Sequence, residues 1–202
     1  MPHWDRPTAT RGSGGESAMA SPAEFSIPLR PEGWTVEEVL ALPEEHSSLQ
    51  RIELVDAALL MSPAPTSLHQ RLLQRLQLAL APALPDGTEL LPGVNVRIGT
   101  QRLLIPDLVI LNCPGIDTVA YAASDVLLAA EIVSPSTKVQ DRILKRAIYA
   151  EALIPYYLLV EPGEPIAATL FELRGGEYEP IAKSGETDIE ITRPFTATIR
   201  LA

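Results

Sequence analysis

The chain has 202 residues, of which 46 % are apolar, and carries 16 Lys and Arg against 26 Asp and Glu, for a net charge of −10. That length and apolar content suit one domain with its own core. The single cysteine, Cys113, excludes an intrachain disulfide and a zinc–cysteine cluster, and no apolar run reaches the ~18 residues of a membrane span. The acidity also argues against a protein that coats nucleic acid through a basic surface, because phosphate neutralisation supplies most of that affinity.

Residues 1–24 are small, polar and rich in Gly, Ser and Pro, and read as a disordered leader; a single folded domain is expected over 25–202, starting near Phe25. The first 30 residues lack the apolar centre of a secretory signal, so a cytoplasmic location is expected. Thr35 and Glu38 have the spacing of a capping box and predict a short helix through Leu42, ended by Pro43. Ile52, Leu54 and Val55, then Leu59, Leu60 and Met61, flank Asp56-Ala57 as the arms of a β-hairpin, although alanine is unusual where tight turns favour glycine.

Ser67 is placed to cap a helix running to about Leu80, with Leu72, Leu73, Leu76, Leu78 and Leu80 as its apolar side. The segment PALPDGTELLPG reads as a turn-rich link. Alternation of Val94, Val96 and Ile98 predicts a half-buried strand over Gly93–Gly99. The continuous apolar runs Leu108–Leu111 and 126–133 fit strands buried on both faces. A helix is expected from Lys138 to Ala152, with Val139, Ile143, Ala147 and Ala150 as its inward stripe, extended by Leu144 and Ile148. On a wheel of 100° per residue Asp141 and Lys145 border that arc. Tyr156–Val160 is a further strand, and 167–202 alternates in a β manner around a Gly175-Gly176 turn. The element order gives an α/β or α+β sheet with flanking helices.

Three carboxylates stand where strands are expected: Glu53, Asp107 and Glu131. A buried carboxylate shifts its pKa, pairs with a cation or binds a metal. Taken singly, Glu131 also fits a strand-end charge that reaches solvent or pairs with an arginine, and Pro106-Asp107 fits a plain strand-start turn. Where their strands are neighbours, Asp107 and Glu131 converge into a hard oxygen site suited to Mg²⁺ or Mn²⁺, which Glu53 could complete. Asp141 and Lys145 have the spacing of an ordinary helical i,i+4 ion pair.

The segments IELVDAALLMSP, SLHQRLLQRL, IPDLVIL and LLAAEIVSPSTKVQDRILKRAIYAEALIPYYLLVEP resemble the Uma2 family, within the PD-(D/E)XK restriction-endonuclease-like superfamily. The resemblance covers about residues 35–200 and is most specific from Glu131 to Pro162. It implies a restriction-endonuclease-like α/β fold: a central mixed β-sheet flanked by α-helices, with an N-terminal hairpin and C-terminal strands. It implies hydrolysis of nucleic-acid phosphodiester bonds, with DNA the expected substrate, Mg²⁺ or Mn²⁺ as cofactor, and a homodimer.

By the same resemblance Asp107, Glu131 and Glu53 are catalytic metal ligands, with the Ile132 carbonyl as a further one. The resemblance also places His69 near the cleft, as a substrate-binding residue. Val133 stands where the superfamily's E-x-K lysine is usual, so Lys145 is expected to supply the amine from the next helix. Lys138 and Arg142, with Arg71, are candidates to hold substrate phosphates. Two other readings stay open: a catalytically inactive dimeric binding or regulatory module on this fold, and a metal-dependent hydrolase of a small phosphate substrate.

Overall fold

A computed structural model describes residues 30–43, 51–134 and 140–201. The expected leader, the start near Phe25, Val139 and Lys138 lie outside the described residues.

The chain opens on helix α1 (Val36–Leu40), whose capping box is present: the Thr35 side chain accepts from the Glu38 N–H, and Glu38 accepts from the Thr35 N–H. The helix stops two residues before the expected Leu42. Strands β1 (Arg51–Val55) and β2 (Ala58–Ser62) form the predicted hairpin. Both turn residues have positive φ, 47° at Asp56 and 65° at Ala57, so an alanine occupies a conformation that normally selects glycine. Helix α2 (Ser67–Leu80) begins one residue earlier than expected: its cap is Thr66 in place of Ser67, and the Thr66 side chain accepts from the His69 N–H. His69, Leu72, Leu76 and Leu80 follow one helical stripe inward, and Leu78, on the opposite side, is 70 % exposed.

The predicted link contains a strand, β3 (Glu89–Pro92). The expected Gly93–Gly99 strand shortens to β4 (Val96–Ile98), followed by β5 (Arg102–Leu104), β6 (Leu108–Leu111), β7 (Tyr121–Ala122) and β8 (Val126–Ile132). Residues Gln140–Lys145 wind as a wide π-helical turn that leads into helix α3 (Arg146–Glu151). Strands β9 (Tyr156–Glu161), β10 (Ala167–Arg174), β11 (Glu177–Lys183), β12 (Asp188–Ile191) and β13 (Ala197–Arg200) complete the chain, with the expected Gly175-Gly176 turn between β10 and β11.

The central mixed sheet has six strands in the order β11-β10-β9-β8-β6-β3, with β8 and β9 parallel and the other pairs antiparallel. A five-stranded sheet, β2-β1-β5-β4-β7, lies beside it, and β12 pairs with β13. The twofold alternation of β6 and β8 separates two cores. Leu108, Ile110, Leu128, Ala130 and Ile132 pack with the α2 leucines and β12–β13. Val109, Leu111 and Ala129 pack with Ile148, Tyr149, Tyr157 and Phe171. A third core joins Trp34, Val36 and Val39 to Ile52, Leu54 and Leu103.

The inward face of the 140–151 segment corrects the helical-wheel reading. Ile143 is 67 % exposed and Ala147 is exposed, while Asp141, Lys145, Ile148 and Tyr149 are buried. The i→i+5 winding rotates Asp141 and Lys145 from the edge of the arc to its centre.

A candidate active site of four carboxylates and two cations

The site forms where the ends of β6 and β8 meet the hairpin. Leu108 of β6 lies opposite Ala130 of β8 in an antiparallel pairing, so Asp107, one residue before, lies beside Glu131, one residue after. By alternation both share the side of Val109 and Ala129, under the 140–151 segment. Glu53 approaches from β1, where its Oε1 accepts from the Ile105 N–H at 2.7 Å. Asp141 and Lys145 come from the π-helical turn.

Asp107 is held on both oxygens. Its Oδ1 accepts from Arg51 Nη1 at 2.6 Å; its Oδ2 takes the Ile132 N–H at 2.7 Å and lies 3.0 Å from His69 Nε2. Burial opposes its ionisation, but the His69 hydrogen bond, the Arg51 charge and the Ile132 N–H hold its pKa down to about 2. Asp107 is therefore ionised throughout the neutral range.

Lys145 bridges the remaining acids. Its Nζ is 2.9 Å from Glu53 Oε1, 3.1 Å from Glu131 Oε1 and 3.8 Å from Asp141 Oδ1. Burial pulls its pKa down, and Glu131, Glu53 and Asp141 more than reverse that, so the amine keeps its proton. Glu131 Oε1 also accepts from the Tyr149 hydroxyl at 2.7 Å. Burial pushes Glu131 up, Lys145 pulls it back, and Asp107, Asp141 and Glu53 push it up again. The net direction for Glu131 is upward, because burial and the neighbouring acids outweigh the pull of Lys145. The Tyr149 and Tyr157 phenols, raised first by burial, stay neutral donors, Tyr157 to the Asp141 carbonyl at 2.8 Å.

Glu53, Asp107, Glu131, Lys145, His69 and Ile132 thus line one cavity of about 280 Å³, with Arg51 and Asp141. Arg142 is not among them: it pairs with Glu161 and lines, with His69, an adjoining cavity of about 570 Å³. Arg71 is exposed on α2. Three residues were not singled out for the site by sequence reasoning: Arg51, Asp141 and Tyr149. The signal for Arg51 is its position two residues before Glu53, which puts both side chains on one face of β1.

Four carboxylates face two cations here, a formal charge of −2 counting His69 as neutral. Oxygen donors and that residual charge suit a hard divalent cation. Arg51 and Lys145 pair with one oxygen of each carboxylate, however, and among the described residues no three His, Cys, Asp or Glu side chains surround a common point. The residues fit a divalent ion in kind and in charge without a finished coordination shell. Among the described residues no helix is long and apolar enough to cross a membrane.

Comparison with known proteins gives the site a context. The model of the Uma2 family, described as "Putative restriction endonuclease", matches residues 36–202. The fold is similar to a crystal structure described as "a putative nuclease belonging to DUF820" from Anabaena variabilis, with a TM-score of 0.58, 19 % identity, and coverage of 80 % of this chain and 89 % of that one. No curated protein matches the chain at significant similarity.

Proposed function

The chain belongs to the Uma2 family, and from that premise we propose that it is a divalent-metal-dependent nuclease cutting DNA phosphodiester bonds at the Asp107–Glu131 cluster. The observation that carries the reading is the placement of Asp107 beside Glu131 on paired strands, with the Lys145 amine between Glu131 and Glu53 in one cavity. Asp107, Glu131 and Glu53, with the Ile132 carbonyl as a further oxygen, would hold Mg²⁺ or Mn²⁺, which would supply Lewis acidity toward the phosphoryl group and the attacking water.

The protein's own residues do the positioning. Asp107 remains a carboxylate because His69, Arg51 and the Ile132 N–H stabilise the charged form. Lys145 keeps its proton and sets a fixed positive charge beside the site, where negative charge develops as phosphorus is attacked. Tyr149 fixes the Glu131 carboxyl through its hydroxyl. Arg142 and Lys138 serve flanking phosphates as point contacts. With a net charge of −10, affinity for DNA is weak without metal and falls with salt.

One observation favours the reading as a non-catalytic binding module: Arg51 and Lys145 already pair with the carboxylates, so the cluster carries its own counter-cations. Incubation of plasmid and single-stranded DNA with Mg²⁺, Mn²⁺ or EDTA, for the native protein and Asp107→Asn, separates the two. Metal-dependent cleavage lost in the variant supports the nuclease. No cleavage by folded protein under any metal supports the module. Turnover of bis-p-nitrophenyl phosphate with intact DNA points instead to a small phosphate substrate.

A further inference from the structure

The two cations in the cluster differ in one respect. Lys145 is enclosed, its side chain 6 % exposed with acids at 2.9, 3.1 and 3.8 Å. Arg51 is 30 % exposed. Its guanidinium touches Asp107 Oδ1 at 2.6 Å and the Ile105 carbonyl, and it stands between two spaces. It lines both the 280 Å³ acidic cavity and an adjacent cleft of about 550 Å³, whose walls include Asp107, His69, Ile52, Leu103, Gln70 and Asn95. The cleft leaves space beside the guanidinium, whereas the Lys145 amine is enclosed by acids.

Of the two Asp107 oxygens, Oδ1 takes its side-chain contact from Arg51, and it is the one a divalent ion would have to share with that guanidinium. The other oxygen is committed to the Ile132 N–H and His69. A guanidinium and a divalent cation cannot share one carboxylate oxygen without strong repulsion at this depth. Resting on the nuclease reading above, we propose that Arg51 is a displaceable internal counter-cation. It neutralises Asp107 in the metal-free protein, competes with the divalent ion for Oδ1, and swings into the adjacent cleft when the ion binds. Arg51 is thus a positioning residue that sets metal affinity.

The test is direct binding of Mn²⁺ by calorimetry to the full chain at pH 7.5, for the native protein, Arg51→Gln, Arg51→Lys and Arg174→Gln. Arg174 pairs with Glu172 and Glu179 on the surface and controls for loss of one remote charge. Arg51→Gln is expected to bind Mn²⁺ about tenfold or more tightly, because one positive charge leaves the ligand. Arg174→Gln is expected to match the native protein. Arg51→Lys, which keeps the charge, is expected to stay closer to native than Arg51→Gln does.

Equal or weaker Mn²⁺ binding by Arg51→Gln overturns the proposal while leaving the nuclease reading standing. No Mn²⁺ binding by any folded form overturns both. Should Arg51→Gln fail to fold, a crystal structure of the native protein with Mn²⁺ decides. Arg51 off Oδ1 and in the cleft supports the proposal, and a bound ion with the Arg51–Asp107 contact intact overturns it.

Discussion

Replacing Lys145 with methionine keeps most of the side-chain volume and removes one charge from among three buried acids. At an effective dielectric of about 20, a unit charge at the observed 2.9, 3.1 and 3.8 Å attracts each carboxylate by about 4–6 kcal/mol. Desolvation of the ions offsets most of that, and breaking a buried pair from one side costs about 3–5 kcal/mol in practice, since the partner charge is left stranded. For a domain of this size that is a fall in Tm of about 6–20 °C.

The loss depends on pH in a direction that follows from the site. The Lys145 pKa is raised above its ordinary value, so its contribution is fully present below that ordinary value, and Lys145 is protonated in both states between pH 6 and 8. The change across that window belongs to the acids. Glu131, already pushed up by burial, takes a proton in the variant as pH falls, which relieves the stranded charge. Urea unfolding in EDTA is expected to show a deficit that is larger at pH 8 than at pH 6. A deficit below about 1 kcal/mol, or one independent of pH, refutes the claim that Lys145 holds the cluster together.

Asp107→Asn removes a group whose pKa drops from 3.8 to about 2 on folding. The stabilisation is present above pH 3.8 and lost as pH falls toward 2, so the variant is expected to lose about 2 kcal/mol at pH 7 and progressively less in that acid window, by urea unfolding. Glu131→Gln keeps an acceptor for Lys145 and Tyr149. Because the folded pKa of Glu131 is raised, its ionisation destabilises the fold increasingly as pH rises from 4.5 to about 8. The variant is therefore expected to gain on the native protein in Tm over that range in EDTA, and to lose the Tm increase that Mn²⁺ produces. Ala57→Gly relieves a φ of 65° in the hairpin turn, and a gain of about 1 kcal/mol, or 2–4 °C in Tm by calorimetry, is expected.

Elements set by local period were legible in the sequence. The hairpin, α2, β6, β8 and β10–β11 follow from alternation, helical stripes and turn residues. Strand β3 was not, because Pro85-Asp86-Gly87 before it and Pro92-Gly93 at its end are turn signals that bracket a very short run. It is a strand because it pairs with β6 from the edge of the sheet, with Pro92 at its last position. The acids of the site were legible for the opposite reason: Glu53 and Glu131 interrupt apolar strands, and such an interruption needs a partner. Arg51 carried no such mark, since an arginine at a strand end is ordinary, and its role appears only when β5 and β6 bring Ile105 and Asp107 to it.

The 140–151 segment shows why a regular wheel failed at the place where chemistry is concentrated. A uniform α-helix would put Ile143 inward and leave Lys145 at the margin; the wide turn does the reverse. Exposing an isoleucine forgoes about 1.5–3 kcal/mol of burial. Buried ion pairs return little net stability against an apolar alternative. Val133, at the E-x-K position, packs in the core with Ile148 and Tyr149, so an amine there would lie among apolar side chains. Stability alone gives no reason to turn Asp141 and Lys145 inward over Ile143. The reason lies in the carboxylates of β1 and β8, which need a cation that the strand carrying Glu131 does not provide. A π-helical turn that breaks the local rule to deliver that cation is the kind of departure expected at a working site.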